Sequence, residues 1–128
     1  MTQKKKHLNI KEIRDKLTSS TDENERVDLL NALVEEIYFT NTSHALELSR
    51  KAHQIAKTFS YLRGIAISQY HIGLCQWRLS NNDEALPHLL EALWHFEELS
   101  DKRGEAKTLT CIGNVFKSLS DYEQAVSY

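Results

Sequence analysis

His88, Glu91 and His95 stand at i, i+3 and i+7, so one helix face would carry all three. Two imidazoles and a carboxylate are part of the donor set of a zinc site. Successive members of the row lie a full turn apart, however, and no other Cys/His cluster offers a fourth ligand. Exposed polar positions on the back of a helix account for the row, and no metal is expected. His44, His53 and His71 are isolated, with no Ser, Cys or Asp at a spacing suggestive of a nucleophilic triad. Neither GxxxxGK[ST] nor GxGxxG, the glycine patterns that cradle phosphates, occurs. Cys75 and Cys111 lack CxxC spacing and read as small, reduced core residues. The expectation is a protein without catalysis and without a cofactor.

The elements that would hold such residues must fit in one domain, because the chain has 128 residues. Apolar residues at 41% and charged residues at 27% give the balance of a globular protein. Sixteen Lys+Arg against eighteen Asp+Glu leave a formal charge of −2, so no global field favours nucleic acid or an anionic membrane. Residues 1–16 carry six basic and two acidic side chains, a local +4, and the other 112 residues carry −6. The basic start reads as a solvated end ahead of a capping helix. It has no apolar run behind it, and no stretch reaches the roughly 18 apolar residues of a membrane span. A cytoplasmic protein is expected. Four glycines and one proline are too few for a turn-rich β fold, so the fold class is all-α.

A shift of forty residues exposes an internal repeat. Ser60, Arg63, Gly64, Ala66, Ile72, Gly73, Leu79, Ser80 and Ala85 each meet the same residue type forty positions on, nine identities across 60–88 against 100–128. Each unit reads as two helices. Ala106, Leu109, Ile112, Gly113, Phe116 and Leu119 recur every three or four residues, as do Ala85, Leu89, Ala92, Phe96 and Leu99. The pattern predicts helices near 8–18, 23–39, 43–58, 62–80, 83–99, 103–119 and 122–128, with Ser120-Asp121 breaking the last two apart. Residues 1–22 form a basic segment with a short capping helix. Units near 23–60, 61–100 and 101–128 follow, the last of them incomplete.

Leu109-x-x-Ile112-Gly113-x-x-Phe116 followed by Asp121-Tyr122-x-x-Ala125 resembles a tetratricopeptide repeat. The second unit keeps Ile72, Gly73, Ala85, Leu89 and Ala92 of that pattern, and the first keeps Leu29, Ala32, Ala45 and Ala52. The forty-residue spacing is similar to the long-repeat members, such as kinesin light chains and bacterial signalling regulators. The resemblance implies a right-handed solenoid of antiparallel helix hairpins, whose concave groove takes up a peptide or partner helix. It implies a protein-interaction module. The competing expectation is a regulatory or oligomerising N-terminal region of a larger bacterial signalling protein, with a cyclase, kinase or DNA-binding output beyond Tyr128.

On that fold the first helix of each unit faces the groove. Its inward residues would be Asn31, Val34 and Tyr38; Tyr70, Leu74, Trp77 and Arg78; and Lys107, Thr110, Asn114 and Lys117. Trp77 and Tyr70 would anchor apolar groups, while Arg78, Lys107 and Lys117 would favour an acidic protein or peptide partner. Binding of chaperone C-terminal carboxylates is not expected, since only Lys107 matches that subtype's basic set. No nucleic acid is expected as a partner, because the equivalent positions Asn31, His71 and Cys111 share no chemistry that could read bases. No membrane partner is expected either. The half-built last hairpin leaves Ile112, Phe116 and Leu119 uncovered: the expected reading is a fragment of a longer protein, and the alternative is a self-association face closed by a second copy in a homodimer.

Overall fold

A computed structural model describes residues 7–127. Lys4, Lys5 and Lys6 of the basic start, and Tyr128, lie outside the described residues. The described residues form six helices and no strand: α1 (Ile10–Ser19), α2 (Glu23–Ile37), α3 (Thr42–Thr58), α4 (Leu62–Arg78), α5 (Asn82–Glu98) and α6 (Lys102–Ser127). None is long and apolar enough to cross a membrane.

Local chemistry sets the starts. Asn9 Oδ1 accepts from Glu12 N–H at 2.8 Å to open α1, and Asp22 Oδ1 accepts from Asn24 N–H at 2.9 Å to open α2. Asn41 caps α3 through His44 N–H, and Asp101 caps α6 through Gly104 N–H at 3.0 Å. The stops recur every twenty residues. Ser60, Ser80 and Ser100 have φ of 54°, 64° and 53°, the left-handed conformation that ends helices. After each, the chain closes the same bond back to the preceding helix. Tyr61 N–H donates to Ala56 O, Asn81 N–H to Gln76 O and Asp101 N–H to Phe96 O, all between 2.8 and 2.9 Å.

Each helix packs on its neighbours in sequence, and α4 also touches α2 on one side and α6 on the other. The helices α2, α4 and α6 therefore stand side by side, with α3 and α5 behind them. Residues forty apart become neighbours in space: His71 Nδ1 lies 2.9 Å from Asn31 Oδ1. One core block joins Ile13, Leu33, Val34, Ile37, Leu46 and Ile72, and another joins Ala85, Leu89, Cys111, Ile112 and Val115. Gly73 permits a close crossing of α4 and α5, because a Cβ there would come 2.6 Å from Leu89 Cγ, and Gly104 a closer one of α6 on α5, where a Cβ would come 2.3 Å from Phe96 Cδ1.

The expected break at Ser120-Asp121 does not occur, and α6 runs unbroken for 26 residues. The turns at Ser60, Ser80 and Ser100 are each followed by a helix that buries side chains, among them Ala66, Ala85 and Thr108. Residues 121–126 are all exposed. No burial offsets the cost of a left-handed serine at 120, so the helical conformation continues.

Candidate functional site

Between α2, α4 and α6 lies a groove of about 470 Å³, lined in part by Glu35, Ile67, Tyr70, His71, Arg103 and Lys107. No residue of α1 borders it. Its floor is Ile67, Tyr70 and Phe96, and Phe96 is buried in the contact between α4 and α5. Its walls are charged. Arg63 comes from the first turn of α4, while Arg103 and Lys107 come from the first turns of α6. Lys107 Nζ sits 5.5 Å from the Tyr70 ring centre, a cation–π arrangement. Arg63 lies 3.6 Å from Asp101 Oδ2, so the residue that caps α6 also holds an arginine at the groove edge. Burial pushes the Tyr70 phenol up to about 12, which keeps it a neutral hydrogen-bond donor.

His71 is 1% exposed and closes one side of the groove floor. Burial lowers its pKa, so the ring is neutral. Its Nδ1 faces Asn31, and its Nε2 lies 3.6 Å from Glu35 Oε1. With Asn31 Oδ1 against Nδ1, the buried Asn31 Nδ2 has no partner. The opposite amide orientation occupies the same volume and lets Nδ2–H donate to Nδ1. Nε2–H then points at Glu35, whose carboxyl is held below the usual carboxylate range chiefly by hydrogen bonding to His71. A neutral His71 thus serves both partners.

The residues expected on an inward stripe fall into separate places. Tyr70 and Lys107 meet in the groove. Tyr38 and Arg78 form a second cluster: the Arg78 guanidinium lies 5.7 Å from the Tyr38 ring and 4.5 Å from the Phe39 ring, and donates to Phe39 O at 3.3 Å. Leu74 and Trp77 are half-buried against the core block of Ala85 and Leu89, and Trp77 Nε1–H donates to Ser118 Oγ at 3.0 Å. Thr110 and Lys117 are exposed on α6, with Asn114 half-buried; the Thr110 hydroxyl donates back to Ala106 O.

Two placements are corrected. Asn31 and Val34 do not face open groove; they are 4% and 0% exposed. The reason is that α2 is flanked by α1, α3 and α4, which leaves it little free circumference. The self-association row also divides. Ile112 and Leu119 pack into the core with α5, and Phe116 alone of the three stays exposed.

The stripe expected from the first helices of the repeats missed Arg63, Arg103, Glu35 and Asp101 as groove residues. The signal was present in the repeat itself, since Ser60-Tyr-Leu-Arg63-Gly64 and Ser100-Asp-Lys-Arg103-Gly104 carry the same arginine. Helix-wheel reasoning overlooks it because the residue sits at the turn rather than in mid-helix. Among the described residues no group of three or more His, Cys, Asp or Glu is placed to hold a metal. At the row on α5, Gln69 Nε2 donates to both His88 Nδ1 and Glu91 Oε2, at 3.0 and 2.6 Å, and draws them into a contact between α4 and α5.

No protein-family model matches this chain, and no curated protein matches it.

Proposed function

We propose that the chain is a protein-interaction module that takes up an acidic peptide or partner helix in the groove between α2, α4 and α6. The array then has the sense of a right-handed tetratricopeptide-like solenoid, with α3 and α5 on the outside. The observation that carries the reading is the pair Arg63 and Arg103. They are forty residues apart in the sequence, yet both line one groove together with Lys107. Three cations stand there against Glu35 and Asp101, above an apolar floor of Ile67, Tyr70 and Phe96. Arginine and tyrosine in a partly desolvated site are the residue types that dominate binding energy at interfaces. An acidic ligand side chain would pair with the cations while an apolar neighbour covers Tyr70.

Selection of a displayed random-peptide library against the purified chain tests this. Peptides recovered should be enriched in Asp and Glu next to apolar residues. Their affinity, read by fluorescence anisotropy, should fall about tenfold or more in Arg103→Glu, and should weaken with added salt. Arg50→Glu on α3 should leave it unchanged. Peptides that bind equally well to both variants would defeat the proposal.

A further inference from the structure

A second groove adjoins the first. It lies between α1 and α2, has a volume of about 470 Å³, and shares the side chain of Glu35 with the groove between α2, α4 and α6. Leu8, Ile13, Leu29 and Ala32 give it an apolar lining that is continuous with the core block of Leu33 and Ile37.

Its charge is the reverse of its neighbour's. Glu25, Asp28, Glu35 and Glu36 line it, against Lys16 and His7. Two of these carboxylates are held by neutral donors. The Tyr61 hydroxyl donates to Asp28 Oδ1 at 2.8 Å, and its pKa, pushed up to about 12 chiefly by burial, keeps it a phenol. Neutral His71 holds Glu35. A hydrogen bond from a neutral donor leaves the charge of a carboxylate in place, with lone pairs to spare. His7 Nε2 lies 2.7 Å from Glu36 Oε1. Even with Lys16 and a protonated His7 both counted, four carboxylates against two cations leave −2. In the first groove, three cations against Glu35 and Asp101 leave +1.

The packing sets the distance between the two. Helix axes packed side by side stand about 8–10 Å apart. The first groove centres on α4, and the second falls between α1 and α2, about one and a half spacings or roughly 14 Å away. An extended chain covers that distance in about four residues.

Resting on the reading that the first groove takes an acidic peptide, we propose that the ligand is bipolar. Its acidic residues lie over Arg63, Arg103 and Lys107, and its Lys or Arg residues, about four positions away, enter the groove of Glu25, Asp28 and Glu36. The apolar stems of those basic side chains cover Leu8 and Ala32 while their heads meet the carboxylates. A peptide bound the other way round would set like charges together in both grooves, so the charge order also fixes which end lies over which helix.

The test takes an acidic peptide selected on the full chain and extends it with two lysines four residues beyond its acidic group. One version carries them on the N-terminal side and another on the C-terminal side, and serines replace them in the controls. By fluorescence anisotropy at pH 7.5, one of the two placements should bind about threefold to tenfold tighter than its serine control. Glu25→Lys, at an exposed position, should abolish that gain with an unchanged far-ultraviolet spectrum and unchanged affinity for the serine control. Glu47→Lys, exposed on α3, should leave the gain intact. A gain from both placements that survives Glu25→Lys is general attraction to a chain of net charge −2 and overturns the inference. If the serine controls bind and weaken in Arg103→Glu while lysines add nothing at either end, the bipolar ligand is wrong and the acidic-peptide reading stands. Binding indifferent to Arg103→Glu overturns both.

Discussion

At the scale of single residues, the most consequential side chain is His71, held without charge between Asn31 and Glu35. Burial also lowers the pKa of His53, beside Ser68, and of His88, beside Gln69. The unfolded chain takes up protons near the ordinary histidine value of 6.5, and the folded chain only at lower pH. Stability from these histidines is therefore full above about pH 6.5 and lost as the pH falls below it. Glu35, lowered by its contact with His71, adds a contribution present above 4.5 and lost as the pH falls further. Both act in the same direction. Thermal midpoints should drop between about pH 7.5 and 5.5, and the drop should be shallower in His71→Gln. An identical slope in the variant would mean that His71 carries no such linkage. None of this was legible in the sequence, where His71 is one isolated histidine; its partners come from α2, forty and thirty-six positions away.

At the scale of elements, the turns repeat more faithfully than the helices they join. Ser60, Ser80 and Ser100 accept a left-handed backbone that disfavours any residue with a Cβ. Ser100→Gly should relieve that cost and raise stability by about 1 kcal/mol. Ser120→Gly sits inside continuous α6 and should lower stability by about 0.5–1 kcal/mol. Chemical denaturation of the two variants checks both signs, and two gains would mean that α6 turns at Ser120 after all. Helix spacing and all five links up to residue 102 could be read from the sequence, because apolar periodicity and capping residues are local signals. The sixth link was misread because Ser120-Asp121 has the local chemistry of a turn. What makes the other serines turn is the burial of the helix that follows, which no window of residues reports.

At the scale of the whole molecule, a forty-residue shift in sequence becomes a one-step move from α2 to α4 to α6. That is why Arg63 and Arg103 reach the same groove, and why Asn31 and His71 touch. The sequence marked Tyr70 and Lys107, which do meet there, but placed Asn31 and Val34 beside them. A helix wheel specifies direction without specifying how many neighbours surround the helix, and α2 has three. The central claim is that this groove is where a partner binds. The measurement that tests it most directly is amide chemical-shift mapping of the isotope-labelled chain, titrated with a library-selected acidic peptide. Shifts should concentrate on α4 and α6 around Arg63, Tyr70, Arg103 and Lys107, with Glu35 on α2, and should vanish in Arg103→Glu. Shifts gathered instead on the outer helices α3 and α5, and persisting in that variant, would contradict the account.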